Sequence, residues 1–150
     1  ATTGMNVGDF YQCGTRWLIR LHEKGGKYHE VPAHHRCAEY VDAYLDAGGI
    51  RDDRKSALFR ALDRTRVLTD RRMTRGDVLR MVKRRSAAAG LPTEISCHTF
   101  RATGITAYLE AGGTLENAQA IAAHESPRTT RLYDRTADAI SLDEIERIQI

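Results

Sequence analysis

The stretch "SCHTFRATGITAYL" places His98 and Arg101 three residues apart. On a helix that spacing puts both on one face. Both fall in the first turns, where unpaired N–H groups and the helix dipole favour an anion. The same line runs on into Ile105 and Tyr108, so the pair stands at the mouth of an apolar stripe. A guanidinium fork can hold two non-bridging phosphate oxygens, and an imidazole can donate or move a proton. Taken alone, a capping histidine beside a surface arginine is the commoner explanation.

Two other segments carry chemistry of the same kind. In "AIAAHESPRTTRLY", His124 closes an apolar helix and Tyr133 follows nine residues later. Arg128, Thr129 and Thr130 occupy the first turn of the helix between them, a second place suited to a phosphate. In "EKGGK", Lys24 and Lys27 flank a Gly-Gly turn, and a lysine on a hairpin tip can reach a phosphate and act as an acid. By itself Tyr133 is an ordinary aromatic, and each lysine an ordinary solvated turn residue.

The whole chain is compatible with a polyanion partner. Its 150 residues are 41% hydrophobic and 29% charged, the balance of a globular domain long enough to bury a core. The net charge is only +3, but the signs are segregated. Arginines crowd the stretch from Arg51 to Arg85, and the segment after Asp138 is acidic. Such a basic block suits phosphate contacts, each of which releases counterions. Cys13, Cys37 and Cys97 are odd in number and widely spaced, so a reducing compartment is expected rather than a disulfide framework. The "AHHRC" stretch (His34, His35, Cys37) lacks a second ligand pair, and no metal site is expected. No apolar run approaches the roughly 20 residues that span a bilayer, and no secretory leader is seen.

The elements that must position these residues are mainly helical. Trp17, Ile19 and Leu21 alternate with Leu18, Arg20 and His22 at strand period. With turn signals at Cys13-Gly14 and Gly25-Gly26, three strands are expected at about 9–12, 16–22 and 27–31. From His35 the period becomes helical through Tyr40, Val41, Tyr44 and Leu45, until Gly48-Gly49. Residues 51–70 are irregular, with at most a short strand or turn around "ALFRAL". Thr74 is the N-cap of a helix to about Ala89, with Val78, Leu79, Met81 and Val82 as its apolar set. Further helices are expected at about 97–111, 115–123 and 127–134, the last capped by Ser126 with Pro127 at its first position. "SLDEIERIQI" reads as a short final helix, with a capping box from Ser141 to Glu144 and an apolar stripe of Leu142, Ile145 and Ile148. The fold class is mainly α (α+β): a helical bundle with one small three-stranded antiparallel sheet near the N-terminus.

Taken in order, these residues resemble the catalytic domain of the tyrosine recombinases of the phage integrase family. The family pattern runs arginine, lysine on a β-hairpin, His-x-x-Arg, histidine or tryptophan, then a tyrosine nucleophile. It matches Lys24 in "HEKGGKYHEVP", His98 and Arg101 in "CHTFRATGITAYL", His124 in "IAAHESPRTT" and Tyr133 in "RLYDR". The gaps of twenty-three residues from Arg101 to His124 and nine from His124 to Tyr133 are those of the family. The resemblance implies site-specific recombination or integration of DNA, by strand cleavage and rejoining through a 3′-phosphotyrosyl link. It implies the recombinase fold, no ATP, no metal and no other cofactor. Tyr133 would be the nucleophile, Arg101 would offset charge on the phosphate, and Lys24 would protonate the leaving 5′-oxygen. His98 would assist proton transfer at the tyrosine, and His124 would hydrogen-bond the phosphate. Lys27, Thr74, Arg75, Thr99, Arg128 and Thr129 are the expected DNA-backbone contacts. The partners implied are double-stranded DNA and, for a full-length protein, three further copies in a tetramer on DNA, the present chain being a monomer when alone. The location implied is the bacterial or phage-infected cytoplasm, at the nucleoid, with no membrane contact.

The pattern departs from the family in three ways. The first arginine, with its acidic neighbour, would fall upstream of Ala1. The N-terminal DNA-clamping domain is not represented either, so residues 1–150 are expected to be a C-terminal catalytic domain lacking its first part, possessing the chemistry only when completed. The family often has glycine before the second histidine, where this chain has Ala123. Three rival classes stay open on sequence grounds: a DNA-binding remnant that no longer cuts, a type IB topoisomerase, and a zinc-dependent nuclease.

Overall fold

The computed structural model describes residues 1–22, 26–91, 95–124 and 126–134. Lys24 and the expected helix in 141–150 lie outside the described residues. The chain divides into two compact units, Ala1–Arg85 and Ser86–Ile150. Among the described residues there are five α-helices and a three-stranded antiparallel sheet, the architecture expected from the sequence, and a two-stranded hairpin besides. Among the described residues no helix is long and apolar enough to cross a membrane.

In the first unit, β1 (Phe10–Cys13), β2 (Arg16–His22) and β3 (Tyr28–Pro32) form a meander in the order β1-β2-β3. The alternation along β2 does what its period demands. Trp17, Ile19 and Leu21 pack on a core of Met5, Val7, Phe10, Ala38, Val41, Leu45, Ile50 and Leu58. Phe10 and Trp17 stack with ring centroids 4.4 Å apart. On the other face Arg20 and Glu30, directly paired across β2 and β3, are joined by a 2.8 Å ion pair that also receives the Tyr11 hydroxyl. His22 ends β2 with its Nε2 2.9 Å from the buried Asp9 carboxylate, although not aligned for a hydrogen bond.

α1 (His35–Gly48) buries Ala38, Val41 and Leu45, whereas Tyr40 from the expected apolar set is 73% exposed. His34 of the "AHHRC" stretch caps this helix, its Nδ1 accepting from the Arg36 amide. The segment expected to be irregular contains β4 (Arg60–Leu62) and β5 (Leu68–Arg72), paired antiparallel. β4 falls in the "ALFRAL" stretch, where the sequence allows a short strand or turn, and β5 shows no alternation of apolar and polar residues. Their turn is closed by Asp63, whose carboxylate accepts from the Thr65 and Val67 amides and the Thr65 hydroxyl. Arg60 is buried and donates to Asp70, Asp53 and Ser56. Arg72 donates to the Thr3 and Met5 carbonyls and to Asn6, tying the start of the chain to β5.

α2 (Arg75–Ala88) begins where Thr74 predicts. Thr74 Oγ1 accepts from the Asp77 amide at 3.1 Å, and the Asp77 carboxylate accepts from the Thr74 amide at 2.8 Å. Those contacts, led by the Thr74 amide and then joined by Arg71 and Arg80, hold the Asp77 carboxyl well below the usual carboxylate range. The expected apolar set does not enter a core. Leu79 is exposed, Val78, Met81 and Val82 are half-buried, and the buried residue of this helix is Ser86.

The second unit contains α3 (Cys97–Glu110), α4 (Leu115–Ala122) and α5 (Pro127–Arg131). Its core joins Ile105 and Leu109 of α3 to Ala118 and Ala122 of α4, with Tyr108, Leu115 and Tyr133 packed against it. Gly113 is needed for close packing, since a Cβ there would overlap the Tyr108 ring. α5 is shorter than expected and ends at Arg131, so Tyr133 lies in the turn beyond it. There the Tyr133 amide donates to the Thr130 carbonyl at 3.0 Å, and the Asp134 amide to that of Arg131 at 3.1 Å. These three-residue reaches tighten the chain and end the α-helical ladder.

One hydrogen-bonded motif ends each of the first four helices. At α4 the His124 amide donates to the Gln119 carbonyl and the Ala123 amide to that of Ala120, both at 3.1 Å. This pairing needs a left-handed residue at its fifth position. Gly49, Gly90 and Gly112 fill that place after α1, α2 and α3, and all have positive φ. After α4 the residue is Ala123, at φ 51° and ψ 40°. An alanine pays roughly 1–2 kcal/mol for its Cβ in that region. Replacing Ala123 with glycine is therefore expected to raise the unfolding free energy by about 1 kcal/mol, after allowing for glycine's freer unfolded chain. Urea unfolding of the two chains checks this; an unchanged or lowered midpoint would contradict the strain.

Candidate active site

The second unit brings four of the five expected catalytic side chains together. α3 supplies His98 and Arg101 from its first two turns, both exposed. The helix starts there because Ser96 precedes it in extended conformation and its amide donates to Thr99 Oγ1 at 3.1 Å. Arg101 thus stands at the surface end of the stripe that continues into buried Ile105. The motif ending α4 turns the chain so that His124 meets Thr130 of α5 and the ring of Tyr133.

Tyr133 connects these parts. Its hydroxyl oxygen lies 3.2 Å from His98 Nε2, and its ring faces that of His124 with centroids 6.1 Å apart and planes 24° off parallel. Thr106 of α3 donates to the Tyr133 carbonyl at 3.4 Å. The Arg101 guanidinium donates to the Ala122 carbonyl at 2.8 Å, tying α3 to the end of α4. A half-open groove of about 540 Å³ lies beside the tyrosine, lined on α3 by Thr99, Ala102, Thr103, Thr106 and Ala107.

His124 is held more closely than its sequence context indicates. Its amide and carbonyl both engage Gln119, the carbonyl accepting from Gln119 Nε2 at 3.1 Å. Its ring Nδ1 lies 2.9 Å from the hydroxyl of Thr130, which is 0% exposed. Burial first, then the charges of Arg101 and His98, push its pKa down from the ordinary 6.5. The neutral imidazole is thus the form that folding favours.

Gln119 and Thr130 are the partners that residue spacing did not single out for this role. The signal for Thr130 was its place three residues before Tyr133; Gln119 gave none. Of the expected backbone contacts in this unit, Thr99 is part of the α3 cap, and Arg128 and Thr129 are exposed on α5. Lys27, Thr74 and Arg75 belong to the first unit. Lys27 is exposed just before β3, Thr74 is engaged in its cap with Asp77, and Arg75 is exposed. Among the described residues no group of three histidine, cysteine or acidic side chains could hold a metal.

Residues 3–139 match the sequence model of the phage integrase family. The chain belongs to that family. It is 30% identical over 135 residues to tyrosine recombinase XerD of Bifidobacterium longum, covering 87% of this chain and 42% of that protein. It is also 30% identical over 148 residues to tyrosine recombinase XerC of Pelobacter propionicus, covering 97% of this chain and 44% of that protein. The family member described here thus spans about two fifths of the length of these relatives. Its fold is that of the XerA recombinase crystal structure, with TM-score 0.71 and 23% identity over 97% of this chain and 48% of the other. The pre-cleavage complex of XerH recombinase with its difH substrate has the same fold, at TM-score 0.64 and 19% identity over 95% of this chain and 39% of that one.

The lowered His124 pKa has a direction that can be checked. The neutral ring is favoured on folding, so the stability it contributes is present above pH 6.5 and is lost as pH falls below it. In an NMR titration His124 is expected to protonate below pH 6.5, and Arg101→Gln to move its midpoint part of the way back. A midpoint at or above 6.5 in the parent chain would contradict this account.

Proposed function

We propose that the protein containing this chain is a site-specific DNA recombinase that cuts and rejoins strands through a covalent tyrosine link. The observation that carries the proposal is the Tyr133 hydroxyl 3.2 Å from His98 Nε2, in one unit with Arg101 and His124. A phenol is a weak nucleophile unless its proton has somewhere to go, and an imidazole nitrogen at that distance supplies the place. Tyr133 Oη attacks the scissile phosphorus and its proton passes to His98. A phosphotyrosyl ester forms as the bond to the 5′-oxygen breaks, and that oxygen leaves as a hydroxyl after taking a proton from Lys24. Arg101 offsets charge on the non-bridging oxygens, and His124 donates to one of them. The ester conserves the energy of the broken bond, so rejoining needs no nucleotide cofactor.

Under this reading residues 1–150 are the C-terminal catalytic domain of a longer protein, whose upstream part supplies the first arginine and a DNA clamp. Lys27, Thr74, Arg75, Thr99, Arg128 and Thr129 contact the DNA backbone. Four copies assemble on DNA to exchange strands, at the nucleoid of a bacterial cytoplasm.

In the full-length protein, Tyr133→Phe is expected to remove covalent attachment to a nicked DNA substrate while leaving DNA affinity within a few-fold. A covalent complex formed by that variant would remove Tyr133 from the mechanism. Lys24→Ala is expected to slow cleavage by on the order of a hundredfold or more, the scale of a lost general acid, and Lys27→Ala far less. Equal losses in single-turnover cleavage would assign the acid wrongly.

A further inference from the structure

We propose that Thr130 is a positioning residue that donates its hydroxyl proton to Nδ1 of His124, holding that histidine as the tautomer protonated at Nε2. The inference deepens the recombinase reading and rests on it for the use of His124, but its geometry stands apart from any reaction.

Thr130 lies on α5, and its side chain is enclosed without solvent exposure. A hydroxyl so enclosed must place its proton on an acceptor or bear the cost of an unmet hydrogen bond. Among the described residues, the side-chain partner within reach is Nδ1 of His124, at 2.9 Å. If Nδ1 carried the ring proton, the hydroxyl would have to accept it, leaving its own proton unplaced. If Nδ1 carries the lone pair, the hydroxyl donates and both groups are satisfied. The remaining ring nitrogen, Nε2, then bears the hydrogen of the neutral imidazole. That is the arrangement a histidine needs in order to donate to a phosphate oxygen.

The surroundings fix the backbone of His124 and cover one face of its ring. Gln119 holds both the amide and the carbonyl of His124. The Tyr133 ring faces the imidazole at 6.1 Å. Burial, and then the neighbouring positive charge of Arg101, disfavours a doubly protonated ring, the other way in which Nε2 could carry a hydrogen. Thr130 also precedes Tyr133 by three residues, and its carbonyl accepts the Tyr133 amide. The residue that selects the tautomer is therefore covalently close to the proposed nucleophile, and seating one orders the other.

The test is the ¹⁵N spectrum of the His124 ring in this chain, without DNA, above pH 7. The parent chain is expected to show a lone-pair nitrogen at Nδ1 and a protonated one at Nε2. Thr130→Val, which keeps the shape and removes the hydroxyl, is expected to give a mixture of tautomers, and Thr130→Ser to restore the single one. A parent spectrum with the hydrogen on Nδ1 overturns the proposal, as does a Thr130→Val spectrum identical to the parent's. If Thr130→Val fails to fold, the parent spectrum and that of Thr130→Ser decide. In the full-length protein, Thr130→Val is also expected to lower the cleavage rate by about tenfold, the scale of one lost hydrogen bond, and Thr130→Ser to recover it. Unchanged cleavage beside a disturbed tautomer would overturn the positioning role. Absence of cleavage by the parent protein would fail the recombinase reading and leave the tautomer result intact.

Discussion

The short chain reversal between α4 and α5 is the constraint on which the site depends. Within the eleven residues from Ala123 to Tyr133, the backbone must reverse, start a helix and deliver a tyrosine to the α3 surface. The motif ending α4 produces the reversal through the left-handed Ala123 and the return bond from His124 to Gln119. Ser126 and Pro127 then start α5, and the bond from Thr130 to His124 closes the loop on itself.

That closure also sets the surroundings of the two histidines. His124 is half-buried and close to two other basic groups, so the fold favours its neutral form. His98 is exposed at the first turn of α3 and meets the Tyr133 hydroxyl. Two histidines in one site thus have different surroundings, and different surroundings allow different proton duties. Arg101 is close enough for its charge to act on His124, and its guanidinium donates to the end of α4.

In the first unit the arginines divide by how they are held. Arg60 and Arg72 are bound to carboxylates and main-chain carbonyls and act as struts for the β4–β5 hairpin and the start of the chain. Arg71 and Arg80 converge on Asp77 at the start of α2. A count of basic residues in 51–85 made this region look uniformly disposed toward a polyanion. Part of that charge holds the unit together, and the expected apolar set on α2 is left exposed or half-buried.

Period and punctuation were enough to read the three-stranded sheet, all five described helices and the glycine stops, because strand alternation and helix caps are local properties. Ordered residue types at family spacing were likewise enough to select His98, Arg101, His124 and Tyr133. The short strand allowed for in "ALFRAL" is β4, but its partner β5 escaped because "LTDRR" carries no apolar alternation and the turn between them depends on the Asp63 side chain. The left-handed Ala123, the early end of α5, and the grips of Gln119 and Thr130 escaped for a different reason. Nothing in their residue types demands them; each arises when a non-local neighbour or a fixed chain direction leaves one arrangement that satisfies the backbone. The sequence by itself determined which groups are available for chemistry and roughly where the helices carrying them begin. Only the tertiary structure decided that a buried threonine hydroxyl meets one histidine and that a tyrosine meets the other, because hydrogen bonds between separate elements are chosen by packing, not by periodicity.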